Sequence, residues 1–348
     1  HSYHSLGSDY VTPTVATPVS APKWLAWNTQ LAEQLGWPEH WGHNDSTLNT
    51  LAGNTQFEGS KPGAAAYAGH QFGNYNPQLG DGRAILLGEW RRPDGQLLDI
   101  QLKGAGPTPY SRGGDGRSPI GPVVREYLMS EAMYALGIPT TRALAAVATG
   151  DPVYRQQLEP GAILTRVAKS HIRIGTVQFF AMTRQGAGLN ELVTYVTERH
   201  YLGALEKARQ LDPEATHAQV LLNEVTRALA SLVAHWQALG FIHGVLNTDN
   251  MLLCGETVDY GPCAFMDTFA AGQVFSSIDT GGRYAFGNQP GIVHWNLSVL
   301  AQCLLPLLNE DQDKALALAQ DSVDQFPSLF TEIYSARPAA TFGLDAMR

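Results

Sequence analysis

FIHGVLNTDNMLLCGETVDYGPCAFMD, residues 241–267, is the stretch around which the rest of the chain is organised. It sets a His-Gly pair (His243-Gly244), an Asp-Asn pair (Asp249-Asn250) and a further Asp (Asp259) on a loop, strand, turn and strand in quick succession. Asp249, Asn250 and Asp259 supply hard oxygen atoms. Such oxygens suit Mg²⁺, which keeps several waters and binds through one or two carboxylates plus substrate phosphates. The apolar runs Met251-Leu252-Leu253 and Cys263-Ala264-Phe265-Met266 predict short buried segments that hold the polar tips in place. An Asp-Asn pair on its own is an ordinary turn. Its neighbours decide otherwise.

The spacing resembles the catalytic and metal-binding segments of protein kinases, H-R-D-x-x-x-x-N followed by D-F-G. Placing the Asn on Asn250 puts the kinase base on Val245, which cannot accept a proton. Asp259-Tyr260-Gly261 fits the D-F-G pattern. The metal ligands are kept and the usual base is lost.

Upstream, residues 83–90 and 96–103 predict two strands joined at Pro93-Asp94-Gly95, and Lys103 closes the second. A Gly-rich segment, GAGPTPYSRGGDGR, leads to a helix over 122–136 that stops at Gly137. Val124, Leu128, Ala132 and Leu136 recur every four residues and predict its buried face, with Glu126 in its first half. A strand-end Lys and a helix Glu are the two halves of the ion pair that positions ATP phosphates in kinases. Alone such a pair is a solvated surface; in order with Asp249, Asn250 and Asp259 it carries information. Residues 142–148 and 161–167 predict further strands. In TRVAKSHIR, Arg166 and Arg173 flank Lys169 and His171. This is either a solvated charge run or a polyphosphate clamp, since Arg matches phosphate oxygens bidentately.

Residues 11–60 predict an extension packed on a later domain, with one helix-like piece from Pro22 to Leu35. The loop-rich stretch that follows holds His70 and Gln71, whose expected role is loop hydrogen bonding. Helices are predicted over 189–205, 214–239 and about 294–308, the middle one stopping at Gly240; the last forty or so residues have weaker pattern. A chain of 348 residues is enough for one large or two closely packed lobes. The 44% hydrophobic and 16% charged content is that of an ordinary globular protein. A net charge of −9 argues against nonspecific nucleic-acid binding. Cys254, Cys263 and Cys303 form no C-x-x-C pair, which favours a reducing compartment. No apolar run of span length and no signal-peptide pattern is expected, so the expected location is cytoplasmic, with no membrane partner. Arg348 has no obvious structural stop before it, and the natural C-terminus is expected further on.

With these residues in hand, the chain resembles the selenoprotein O family, kinase-fold proteins that transfer AMP. The stretches that carry the resemblance are YAGHQFG (67–73), LGDGRA (79–84), QLKGAGPTPYSRGGDGR (101–117), REYLMSEAMYALGIPTTRAL (125–144), ILTRVAKSHIRIGTVQFF (163–180), HGVLNTDNM (243–251), DYGP (259–262) and GRYAFGNQP (282–290). The resemblance implies an α+β, protein-kinase-like two-lobed fold: an N-terminal extension over 1–64, an N-lobe over 65–160 and a C-lobe over 161–348. It implies ATP and Mg²⁺ or Mn²⁺ as cofactors and protein Ser, Thr or Tyr hydroxyls as acceptors. Lys103, paired with Glu126, contacts phosphate; Gly80, Gly82 and Arg83 help bind the nucleotide; Asp115 and Gly116, with Arg166 and Arg173, complete the ATP site. Asn250 and Asp259 hold the metal, and Asp249 is the base. ATP is implied to bind flipped relative to kinases, its α-phosphorus facing the acceptor. An ordinary kinase with Asp249 as base, and a silent nucleotide-binding pseudokinase, are the alternatives. The chain departs from relatives at Ser118-Pro119-Ile120-Gly121, and it shows no match to the Cys or selenocysteine many carry near the C-terminus.

Overall fold

The computed structural model describes residues 1–183 and 186–341, and they form a mixed α and β structure. In chain order the strands are β1 (Val11–Pro13), β2 (Lys23–Trp27), β3 (Gly63–Ala65), β4 (Gly69–Gln71), β5 (Asn74–Asn76), β6 (Ala84–Arg91), β7 (Leu97–Lys103), β8 (Ser118–Pro119), β9 (Arg142–Tyr154), β10 (Leu158–Ala168), β11 (Phe241–Ile242) and β12 (Ala264–Phe265). The helices are α1 (Thr29–Leu35), α2 (Asp45–Leu51), α3 (Ile120–Ala135), α4 (Ile174–Met182), α5 (Gly186–Leu211), α6 (His217–Leu239), α7 (Gln289–Leu308), α8 (Gln312–Val323) and α9 (Phe326–Thr341). The chain divides into two compact units, His1–Tyr67 with Gln78–His171, and Ala68–Pro77 with the chain from Ile172 onward.

The first unit is built on an antiparallel sheet in the order β1-β3-β6-β7-β10-β9-β2, with β8 paired to β10. The hairpin predicted at Pro93-Asp94-Gly95 joins β6 to β7 in a register that sets Ala84 opposite Lys103. Both ends of the sheet come from the first thirty residues. β1 pairs β3, and β2 pairs β9. The helix expected over Pro22–Leu35 is therefore half strand. Lys23–Trp27 carries two Trp and joins a sheet edge, and the helix starts only after Asn28, whose side chain accepts from Leu31 N. One face of the sheet buries Ile85, Leu102, Val147 and Ile163 against Leu31, Leu35 and Leu51 of α1 and α2.

Helix α3 corrects the predicted face. Val124 and Leu128 are 38% and 61% exposed, Leu136 48%, and the side that packs inward carries Val123, Glu126, Ser130 and Met133. Repeats of four apolar residues pointed outward because the inner face is partly polar, and its Glu is neutralised by ion pairing. Ser118-Pro119 forms a short strand on β10, and Pro119 precedes the first turn of the helix, where the absence of an N–H costs nothing.

In the second unit α6 lies at the centre of the helices, packed by α5, α7, α8 and α9. Leu221, Val225, Leu229, Val233 and Trp236 are buried along it. α6 ends at Gly240 in the left-handed region, and β11 pairs β12 immediately afterwards. Met251, Leu252, Leu253 and Cys263 are buried as predicted, whereas Ala264, Phe265 and Met266 are half-buried. The expectation of no span-length apolar run meets one exception: Phe286–Leu308 is long and apolar enough by composition, with half of its most apolar window buried inside the structure. The three cysteines are free thiols.

Candidate active site

In the first unit the end of β7, the middle of α3 and β10 converge on Glu126. Lys103 Nζ lies 2.6 Å from Glu126 Oε2. Arg166 donates from Nε (2.8 Å) and Nη2 (2.5 Å) to Glu126 Oε1, and its Nη1 donates to Gln101 Oε1 at 3.2 Å. Glu126 and Arg166 are 3% and 5% exposed. A carboxylate between two cations in that setting is tightly held, because removing either sign would leave a buried charge uncompensated. The solvated-run reading of TRVAKSHIR fails here: Arg166 and His171 are buried, and His171 Nδ1 sits 3.1 Å from buried Asp99.

The loop with Gly80, Gly82 and Arg83 lies beside the Gly-rich segment. Thr108 Oγ1 donates to the Asp81 carbonyl at 2.6 Å, and Ser111 Oγ to the Gly82 carbonyl at 2.5 Å. Gly80 has φ +75° with the Tyr110 ring where a Cβ would go, so no other residue fits. Gly116 has φ +65° and abuts the Gly106 carbonyl in the same way. Arg83 is exposed. Asp115, in contrast, is engaged by Arg155 through two hydrogen bonds of 2.8 and 2.9 Å, and that side-chain pairing holds its carboxyl down at about 2.

The second unit brings Arg173, Asp249, Asn250 and Asp259 into one region. Thr248–Asn250 is a single 3-10 turn. Asn250 Nδ2 donates to the Val245 carbonyl at 3.0 Å, so the residue in the lost-base position supports the turn through its backbone. Arg173 precedes α4, and its Nη1 donates to the Asp249 carbonyl at 3.0 Å. His243 is fully buried, stacked on Trp236 and hydrogen-bonded through Nε2 to the Val258 carbonyl at 2.7 Å. Burial lowers its pKa, so it is a neutral strut between the two halves of the motif. Next to it Asp259 is held at φ +67°, a left-handed conformation that costs a non-Gly residue about 1 kcal/mol or more. Strain of that kind concentrates at functional positions.

Asp249 is 8% exposed. Its Oδ2 accepts from Gln71 Nε2 at 3.3 Å, and its Oδ1 is buried with no hydrogen-bond partner. Burial pushes its carboxyl up to about 6, against the pull of Arg173 and the Gln71 hydrogen bond and with a push from Asp259. A carboxylate with one anchored oxygen and one unengaged oxygen is arranged to receive a proton.

Gln71 is the residue that sequence reasoning set aside. The β4–β5 hairpin grips the turn, with His70 N donating to Thr248 Oγ1 at 2.7 Å and Phe72 N to Asn247 Oδ1 at 3.1 Å. The signal was present in YAGHQFG, but nothing local says that a hairpin lying between strands of the first unit belongs to the second. Among the described residues no group of three or more His, Cys, Asp and Glu could form an all-protein metal cage. One Asn and one Asp offer the kind of hard oxygen donors that suit a Mg²⁺ ion completed by phosphates and water, with the buried, unengaged Asp249 Oδ1 in the same turn as Asn250.

Comparison with known proteins places the chain in a family. The family model described as protein adenylyltransferase SelO matches residues 1–348. A protein nucleotidyltransferase YdiU from Bradyrhizobium diazoefficiens is 54% identical over 344 residues, which is 99% of this chain and 69% of that protein. Proteins of the same name from Bacillus cereus and Bacillus anthracis are 52% identical over 326 residues, covering 94% of this chain and 65% of theirs. The chain thus spans about two thirds of the length of these relatives. With a match along its whole length, the chain belongs to the protein adenylyltransferase SelO family.

Proposed function

We propose that this chain carries the machinery of a protein adenylyltransferase, which moves AMP from ATP to Ser, Thr or Tyr hydroxyls of proteins. The observation that carries the reading is Asp249: a buried carboxylate with one unengaged oxygen, in a family of AMP-transferring proteins, where kinases would place their base on Val245. The lobes expected over 65–160 and 161–348, with 1–64 as an extension, are redrawn in this reading: β1 and β2 form both edges of the first unit's sheet and β10 runs on to Ala168, so the kinase-like N-lobe corresponds to His1–Tyr67 with Gln78–His171 and the C-lobe to Ala68–Pro77 with the chain from Ile172 onward.

Each unit has its own task. In the first, Lys103, pinned by Glu126, offers a fixed ammonium to phosphate oxygens; Gly80, Gly82 and Arg83 contact the nucleotide, and Asp115 and Gly116 shape its loop. Arg166 and Arg173 complete the set of phosphate-binding cations. In the second unit Asn250 and Asp259 would hold a Mg²⁺ or Mn²⁺ ion, which neutralises charge on the phosphates. Asp249 takes the proton of the attacking hydroxyl through Oδ1 while Gln71 keeps Oδ2 in place. ATP lies with its α-phosphorus toward the acceptor, so pyrophosphate leaves. Transfers of this type need positioning and charge neutralisation more than covalent participation by the protein.

The test is incubation of protein acceptors with ATP labelled at the α- or the γ-phosphate. Label from the α position on the acceptor supports the reading. Label from γ alone would replace it with an ordinary kinase, and ATP binding with neither label transferred would leave a silent nucleotide-binding protein.

A further inference from the structure

The motif GRYAFGNQP, residues 282–290, takes no part in the chemistry above, yet it borders the Asp249 turn. Tyr284 Oη donates to Asn247 Oδ1 at 2.5 Å and accepts from Phe72 N at 3.0 Å. Beside it, Arg283 packs against Gly73, where a Cβ would come within 3.3 Å of the guanidinium carbon. That carbon lies 5.0 Å from the Trp295 ring centre. Trp295 in turn meets His70 edge-on at 5.1 Å, and His70 meets Tyr75 at 5.2 Å. Trp295 and Tyr75 remain 37% and 38% exposed. Next to this aromatic wall is an open groove of about 460 Å³ lined by Arg283, Gly287, Asn288, Gly291 and Ile292.

We propose that this groove docks the acceptor polypeptide, with the Arg283 guanidinium binding an acidic side chain near the hydroxyl that is modified. The inference rests on the AMP-transfer reading and names the substrate class for it. Three features favour such an occupant. Arg283 forms no ion pair among the described residues, and its Nε is buried without a hydrogen-bond partner, in a chain where 32 acidic residues outnumber 23 basic ones. Its side-chain partners are the Tyr284 hydroxyl and the Tyr284 and Trp295 rings, all neutral, so the guanidinium is complementary to an anionic partner. The floor carries two glycines, Gly287 and Gly291, and a Cβ at Gly291 would meet nothing, so an extended backbone can approach closely. Arg283, which lines the groove, is backed by the half-exposed Trp295, and Arg and Trp are residue types that anchor protein interfaces. The net charge of −9 disfavours a nucleic acid as the anion.

The test measures fluorescence anisotropy of labelled Ser-, Thr- or Tyr-containing peptides flanked by Glu or by Lys, with α-labelled ATP transfer followed in parallel. Wild type is expected to prefer the Glu peptides, and Arg283→Gln to bind them about fivefold more weakly, the scale of a partly exposed ion pair. Arg283→Lys should keep the preference, and Arg283→Glu should reverse it toward Lys peptides. Should the reversal variant fail to fold, Gly291→Trp fills the groove from its open side and is expected to abolish binding. Absence of a charge preference in wild type, an unreversed preference in Arg283→Glu, or undiminished binding by Gly291→Trp would overturn the proposal. Preference and reversal without AMP transfer would retire the enzymatic reading and leave the docking site. AMP transfer without any preference would do the opposite.

Discussion

Asp249→Asn is expected to stabilise the metal-free protein while destroying its activity. The wild-type carboxyl titrates near 6 in the folded chain against 3.8 for an unperturbed Asp, because burial penalises the charged form. At 1.36 kcal/mol per unit, the difference corresponds to about 3 kcal/mol of destabilisation. Its pH dependence follows from the direction of the shift. Below about 4 the group is protonated in both folded and unfolded chains and costs nothing. Stability then falls as pH rises from about 4 to about 6, and the full cost is present above that. Asn cannot ionise and keeps an oxygen for Gln71, but it adds a buried amide needing partners, so a net gain of about 2 kcal/mol is the reasonable expectation. At roughly 2–4 °C per kcal/mol for a domain of this size, that is about 4–8 °C in Tm at pH 8, shrinking toward zero or below at pH 4. Scanning calorimetry in EDTA at the two pH values measures it. A variant less stable than wild type at pH 8, or a gain equal at both pH values, would refute the argument that this carboxylate is held charged at a cost.

Glu126→Gln removes the charge between Lys103 and Arg166 and should lower stability by about 3–5 kcal/mol, read by urea denaturation, with nucleotide binding weakened in parallel. Asp259→Gly relieves the left-handed backbone, so its unfolding free energy should stay within about 1 kcal/mol of wild type or rise, while metal-dependent ATP binding measured by calorimetry is lost; Asp259→Ala loses metal binding with no such relief. Gly116→Ala forces a Cβ onto the Gly106 carbonyl and should cost more than about 2 kcal/mol, visible as a lower denaturation midpoint. Breaking the surface pair by Arg155→Gln should cost well under 1 kcal/mol, since Asp115 is 46% and Arg155 37% exposed at the side chain, and the loss should shrink in high salt.

How far the sequence could be read depends on whether the deciding contact is local. The β6–β7 hairpin, the Lys103–Glu126 pairing and the burial of Met251-Leu252-Leu253 were legible because a turn signature, residue order or an apolar run encodes each of them. The face of α3 was not. A periodicity argument assigns Glu126 to solvent, and only Lys103 and Arg166, arriving from two strands, make its burial tolerable. Lys23–Trp27 resembled helix because its strand character comes from the pairing partner, β9, more than a hundred residues away in sequence. Gln71 was passed over for a similar reason. Its meaning lies in a hydrogen bond to a residue 178 positions later, which no local pattern announces.

Mass spectrometry of an acceptor protein after reaction with unlabelled ATP and Mg²⁺ tests the central claim most directly. The wild-type chain is expected to add one AMP to a Ser, Thr or Tyr oxygen with release of pyrophosphate, and Asp249→Asn to add none. A phosphate-sized increment in its place, or full AMP addition by the Asn variant, would contradict it.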